Sequence, residues 1–268
     1  MAESDDPAAT NILEPEDQPS DDSGLDEAID DASSTQSISS SIFQYRVENS
    51  RTKLYQTPPR NWKRILDVGT GTGIWAMDVA DEHPEAEVLG VDLSPIQPSI
   101  MIASFKDWPG IFCQAFRNLE PGGYIEVQDN GYPLASDDGT IHNTNILRWS
   151  ELMVNAANKI GRSITVASKF KSMLEDVGFI DIVEIKKRIP MNRWPKDPRY
   201  KELGTWSCHM LRSGLDGISM GLLMKLGWTV DEVNVFLAEV RRDLINTEIH
   251  GYWYTYDRPL PRQTIGVD

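Results

Sequence analysis

The sequence predicts an α/β protein built on a parallel strand–helix–strand unit, and three observations point there. Residues 64–92 read RILDVGTGTGIWAMDVADEHPEAEVLGVD, a short apolar run, a stretch with apolar residues at helical spacing, and a second apolar run ending in an acid. Between the first run and the helix, Gly69, Gly71 and Gly73 alternate with threonine. Further on, a helical pattern, the turn Pro121-Gly122-Gly123 and an apolar strand over residues 124–127 follow in the same order. A strand that returns parallel to its predecessor through a helix makes a right-handed crossover.

Each part of the unit has a local cause. Ile65-Leu66-Asp67-Val68 is too short for a helix and reads as a buried strand. The glycine turn needs backbone angles and close approach that a Cβ would obstruct. It leaves the first N–H groups of the helix over residues 74–80, and the positive end of its dipole, facing whatever lies above. An anionic group fits there. Residues 87–91 form the second strand, and Asp92 closes it, nineteen positions after Gly73. An acid so placed can hold ribose hydroxyls. Dinucleotide enzymes use G-x-G-x-x-G, whereas here the third glycine comes one residue early and Ile74 follows it. The bland alternative is a glycine-rich turn of another α/β protein, and the flanking strands with Asp67 and Asp92 weigh against it.

Composition narrows the class. At 268 residues the chain suits one α/β domain plus a tail. The net charge of −15 sits mostly in residues 1–45, which hold twelve Asp and Glu and no Lys or Arg, leaving about −3 for the rest. Such charge argues against direct binding to nucleic acid or an anionic membrane. Cys113 and Cys208 have no metal-ligand spacing, which fits a reducing, intracellular compartment, nucleus or cytoplasm. No signal peptide or membrane span is expected.

Residues 1–41, rich in Asp, Glu, Ser and Pro, are expected to be a disordered acidic tail, because they cannot bury enough surface to offset ordering entropy. Serines within residues 33–41 could be phosphorylated, but a solvated spacer is the preferred explanation, because such composition needs no further function. Residues 42–55 mix Phe43, Tyr45, Leu54 and Tyr55 with charges and read as a segment that docks on the domain. Residues 57–59 (TPP) end any helix there. After Asp92 comes a loop with two prolines, then the apolar run 100–105, either a short strand or the approach to the next helix. Asp107 caps that helix, which carries Pro109 in its first turn and runs to about Leu119. Helices are expected over residues 145–160 and 164–177, the second stopped by Gly178, and a strand over residues 179–189. Asp197-Pro198 opens a helix to about Arg212, residues 215–226 a second, and the capping box Thr229–Glu232 a third to Asn246. Residues 249–256 are β-rich and form the last strand.

Other chemistry is sparse. Asp137 and Asp138 form a carboxylate pair with no third ligand nearby, so a turn is preferred to a metal site. His142, His209 and His250 are candidate bases without an identified partner, and no catalytic residue is assigned. Trp149, Trp194, Trp206, Trp228 and Trp253 with Met210, Met220 and Met224 could line an acceptor pocket, but residues of this kind more often form core.

Asp67-x-Gly69-x-Gly71-x-Gly73 resembles the first motif of class I S-adenosylmethionine-dependent methyltransferases, where the anion is the methionine carboxylate. Several stretches, DVGTGTGIWA, DLSPIQPS, KDWPG, LEPGGYIEVQD, SDDGT, RWPKDPR and LAEVRRDL, together with Tyr45-Arg46 and Glu48-Asn49, resemble the fungal LaeA-like methyltransferases over about residues 36–258. The resemblance implies a Rossmann-like sheet with helices on both faces, S-adenosyl-L-methionine as cofactor, and a setting in regulation of secondary metabolism with nuclear protein partners. It places the cofactor on Asp67, Gly69, Thr70, Gly71, Gly73, Asp92 and Leu93, with an unnamed methyl acceptor and no metal.

Two departures stand out. Only residues 55–63 separate the Tyr-Arg-x-Glu-Asn element from the first strand, and the chain passes from Ser99 to Lys106-Asp107 almost at once, where the family has its third and fourth strands. The expected sheet therefore lacks strands three and four of the usual seven. Either residues 100–105 substitute as a short strand, or residues 124–127 pair directly with residues 65–68. The organisation expected is a tail over residues 1–41 and a methyltransferase-like domain over residues 42–268. The cofactor-binding half of that domain spans residues 58–130, and its helical and C-terminal-strand half spans residues 131–268. A methyltransferase is the leading class. A methyltransferase-like interaction module, or a truncated gene product, is the alternative.

Overall fold

Strand β1 (Arg64–Val68) pairs in parallel with β2 (Glu87–Val91), Leu66 opposite Leu89 and Val68 opposite Val91. Helix α1 (Ile74–Glu82) joins them and packs on β2 with Val79 fully buried. In this computed structural model the described residues are 13–16, Leu54, Tyr55, Thr57, 61–92 and 107–263. They belong to two compact units, Asp17–Ile96, and Met1–Glu16 together with Gln97–Asp268.

In the first unit the strand–glycine turn–helix–strand order stands as expected. Side chains two apart on a strand share a face, so Leu66, Val68, Leu89 and Val91 lie on one side of the pair, and all four are exposed, Leu66 by 59%. The expected docking of residues 42–55 holds for the two that are described. The Trp75 indole N–H donates to the Leu54 carbonyl (2.7 Å). The Tyr55 hydroxyl lies 2.7 Å from His83 Nε2, and Trp62 packs against both rings. Residues 42–53 and 93–106, with Leu93 and the 100–105 run, lie outside the described residues.

The second unit is built on an antiparallel sheet. Its elements are α2 (Trp108–Asn118), β3 (Tyr124–Ala135), α3 (Asn145–Lys159), a 3₁₀ turn (Val166–Lys169), α4 (Phe170–Val177), β4 (Phe179–Ile180), β5 (Ile185–Pro190), α5 (Pro198–Lys225), α6 (Val230–Ile245) and β6 (Tyr252–Gln263). Strand β6 pairs antiparallel with β3, β4 and β5. The α/β class stands, and residues 124–127, offered as a partner for the first strand, lie in a strand that pairs with β6. Val127 is opposite Arg258 of β6, and β1 pairs with β2 alone among the described strands.

Local signals set most boundaries. The Asp107 carboxylate accepts from Gly110 N–H at the start of α2, and Thr229 and Glu232 close the expected capping box on α6. The single strand expected over residues 179–189 is two, because Asp181 adopts a left-handed φ of 58° between them. The two helices expected over residues 197–226 are one of 28 residues. Leu211, Leu215 and Ile218 bury one face across Ser213-Gly214, and packing overrides the poor helix propensity of that pair. The larger core gathers Trp149, Met153, Leu215, Leu223 and Leu237. A smaller one gathers Phe112, Phe170 and Phe179.

A tail that is solvated throughout does not hold at residues 13–16. Leu13 is buried against Trp194 and Tyr252, and Pro15 bridges Pro195. One leucine inside an acid-rich stretch escapes an argument made on average composition.

Candidate functional site

The glycine turn is the best-built candidate. Gly69, Gly71 and Gly73 have φ of 85°, 55° and 78°, a region L side chains rarely enter. The N–H groups of Gly69 and Thr70 both donate to the Val91 carbonyl (2.8 and 3.1 Å), which ties the turn to the end of β2. Gly73 is the N-cap of α1 and offers no side-chain cap, so the helix N-terminus opens toward the turn. A Cβ at any of the three glycines would meet nothing within 4 Å. The space is open, and what demands glycine there is φ.

Two acids flank the turn. Asp92 Oδ2 accepts from the Gly71 N–H at 2.8 Å, so the acid at the end of β2 folds back onto the loop. Asp67 Oδ2 and Thr70 Oγ1 are shielded from solvent, and among the described residues neither has a partner beyond the weak contact between the two side chains. Burial raises the Asp67 pKa, the nearby Thr70 hydroxyl opposes that rise, and the Asp92 charge adds to it. Orphaned buried polar atoms are rare in folded proteins, and an acceptor of this kind awaits a donor. Of the residues that the sequence singles out for cofactor, Asp67, Gly69, Thr70, Gly71, Gly73 and Asp92 come together within one unit, and Leu93 is outside the described residues.

A second polar cluster lies in the other unit and was not legible beforehand. Asp138 accepts from the Ser136 hydroxyl and from the Thr140 hydroxyl and N–H (2.6–3.0 Å), and lies 2.5 Å from His250 Nδ1. Burial works to raise the Asp138 pKa, and these bonds from Ser136, His250 and Thr140 outweigh it, holding the carboxyl well below its ordinary range. Asp137 accepts from Arg188 (2.5 Å) and from the Tyr252 hydroxyl (2.7 Å). The carboxylate pair is thus a clasp between the 136–140 turn and the strands β5 and β6. Among the described residues no group of three His, Cys, Asp or Glu could hold a metal. His250 and Tyr252 lie 112 and 115 positions from the carboxylates they meet, and Arg188 lies 51 away, so spacing carries no trace of the clasp.

Of the other candidates, Trp149 and Trp194 are core residues, Trp228 packs on Phe236, and Met210 and Met224 are exposed. His250 lies against the Trp194 ring at 5.1 Å.

Asp129 on β3 gives a pH prediction. Burial pushes its carboxyl up to about 6 from 3.8, against one bond from the Asn130 N–H. Between those values the unfolded chain ionises while the folded chain keeps the proton, so this group's stabilisation is full below about pH 4 and is lost as pH rises to about 6. Asp129→Asn is expected to leave stability unchanged near pH 4 and to raise it at pH 8 by at most about 3 kcal/mol, read by urea unfolding at both pH values. The same charge, behind burial, pushes the Tyr132 phenol up to about 12.

No protein-family model matches the chain. The methyltransferase pytC of Aspergillus terreus is 35% identical over 238 residues, 77% of this chain and 73% of that protein. The secondary metabolism regulator LAE1 of Cochliobolus heterostrophus is 33% identical over 248 residues, 78% of this chain and 81% of that one. A solved phosphoethanolamine N-methyltransferase 2 of Haemonchus contortus matches 82% of the chain at 17% identity and a TM-score of 0.42, and this chain spans about half of its length. The pytC alignment runs over 238 positions but uses 77% of 268 residues, so about 30 positions of that relative have no counterpart here. That deficit agrees with the internal segments missing from the sequence. The chain belongs to the fungal LaeA-like methyltransferase family.

Proposed function

We propose that the chain binds S-adenosyl-L-methionine at the glycine turn and transfers its methyl group to a nucleophilic acceptor. The observation that carries this reading is the solvent-shielded Asp67 Oδ2, with no partner but the nearby Thr70 hydroxyl among the described residues, beside three open left-handed glycines at a helix N-terminus. Asp67 would accept from the methionine ammonium. The turn and the first N–H groups of α1 would face its carboxylate. Asp92 would turn from the Gly71 N–H to the ribose hydroxyls. When bound, the cofactor supplies an activated methyl on a sulfonium, so the protein contributes binding, alignment and exclusion of water. No general base is needed for an acceptor already nucleophilic at neutral pH.

The test is calorimetry of S-adenosylmethionine against the full chain and against Gly71→Val. Valine at φ 55° is strained whatever the space around it, and binding is expected to weaken at least 100-fold with circular dichroism unchanged. Equal heats from both proteins would remove the cofactor assignment.

The exposed apolar face of β1, and its single pairing partner among the described strands, favour a second reading, an interaction module that binds cofactor without transferring methyl. Incubation with tritiated cofactor and a cell extract separates the two, since only the enzyme labels an acceptor. For the setting, we take the regulatory role of relatives such as LAE1 as support for nuclear protein partners. A tagged chain confined to the cytoplasm would count against it. No described helix is long and apolar enough to cross a membrane.

A further inference from the structure

The groove that holds residues 13–16 is larger than its tenant. Leu13 enters a socket formed by Trp194 and Tyr252, with Ala135, Tyr200 and Tyr254 around it, and is 6% exposed. The backbone is gripped as an added strand would be. The Glu16 N–H donates to the Trp194 carbonyl (3.3 Å), and the Lys196 N–H donates to the Glu14 carbonyl (2.9 Å). Pro15 faces Pro195 between them. Neither proline has an N–H, so the pairing is clipped to one bridge. Glu16 closes the contact on Lys201 Nζ at 2.7 Å. With all of this in place, a cavity of about 340 Å³ remains beside Leu13, Glu14, Lys196, Asp197 and Tyr200.

These features together are a mode of peptide recognition, with main-chain bonds for affinity, a socket for one apolar side chain and a cation for one acid. One side chain, two main-chain bonds and one part-buried ion pair are a light hold. A segment of the same chain holds such a site through its high local concentration. We propose that this groove is a recognition site for an extended acidic peptide of Leu-acid-Pro-acid pattern carried by a protein partner. Residues 13–16 occupy it in cis until that partner displaces them. The acidity of the ligand follows from Lys201, and the spare volume receives a side chain bulkier than the tail supplies.

The probe is a fluorescent synthetic peptide with the sequence of residues 11–18, followed by anisotropy. The full chain carrying Leu13→Asp, with its own tail released, is expected to bind the peptide at least tenfold more tightly than wild type. A second tail-releasing variant, Glu16→Arg, should do the same to a smaller degree and guards against a folding defect in the first. Lys201→Glu in the Leu13→Asp chain should weaken the peptide severalfold, and a peptide with aspartate in place of its leucine should not bind. Three results would overturn the proposal. One is no gain in either variant at unchanged melting temperature, and another is equal binding of both peptides. The third is a wild-type dimer dissolved by excess peptide, which would assign the groove to the tail of a second copy.

Discussion

Gly204→Ala is expected to cost about 3 kcal/mol or more, and the cause lies outside its helix. A Cβ built on Gly204 falls 1.8 Å from the Asn192 carbonyl oxygen and 2.5 Å from its carbonyl carbon. That backbone cannot step aside. Asn192 is buried, its amide donates to the Asn246 carbonyl, and its Oδ1 accepts from the Trp194 N–H. Met191 N–H bonds the Gly251 carbonyl just before it. Helix α5 must therefore move, carrying Leu211, Leu215 and Leu223 out of register with the core. Overpacking commonly costs about 1–3 kcal/mol, and a clash with pinned backbone belongs at or above the top of that range. At about 2–4 °C per kcal/mol for a domain of this size, the melting temperature should fall by roughly 10 °C. The same helix supplies the control. Gly217 and Gly221 have nothing within 4 Å of a built Cβ, so alanine at either should be neutral or stabilise by up to about 1 kcal/mol. Thermal melts of the three variants check the contrast, and a Gly204→Ala melt that matches wild type would disprove it.

Trp149→Ala is expected to cost about 3–5 kcal/mol from lost burial alone. The indole is 1% exposed at the centre of the larger core. Its N–H donates to Ser219 Oγ at 2.8 Å, joining α3 to α5 where both side chains are buried. Alanine also leaves the Ser219 hydroxyl without that donor, at about 1–3 kcal/mol more. Trp149→Phe should separate the parts, keeping most of the volume while losing the bond. The double variant Trp149→Phe, Ser219→Ala removes both polar partners and should be less destabilised than the sum of its single changes. Urea titration of the four chains measures that coupling. A double variant that is simply additive would mean that the bond contributes nothing.

These two sites mark the limit of what the sequence discloses. Where the cause of a feature lies within a few residues, it could be read directly. The Asp107 cap and the Thr229–Glu232 box depend on neighbours three positions away, the glycine turn on the backbone angles of its own residues, and each forms as expected. The build of the candidate turn was legible for the same reason, because a strand, a bend and a helix N-terminus are contiguous. Where the cause is distant, nothing announced it. Gly204 looks like any helical glycine until Asn192 is beside it, and Asp138 looks like a turn residue until His250 arrives from 112 positions away. The partner of β3 is also a long-range choice. Its pattern says strand without saying whether β1 or β6 will take its hydrogen bonds. The burial of Leu13 fails for a different reason, since averaging over a polar stretch hides a single anchoring side chain.

The bare side of the β1–β2 pair has a colloidal consequence. Two such greasy patches brought face to face would stack at the spacing of ordinary packed sheets, about 10 Å, and hide Leu66, Val68, Leu89 and Val91 from water. What opposes that stacking is the surplus of negative charge, concentrated at the amino-terminal end, whose reach shrinks to about 8 Å in physiological salt and about 3 Å at molar salt. Dilute buffer should therefore keep copies of the chain apart, and brine should clump them.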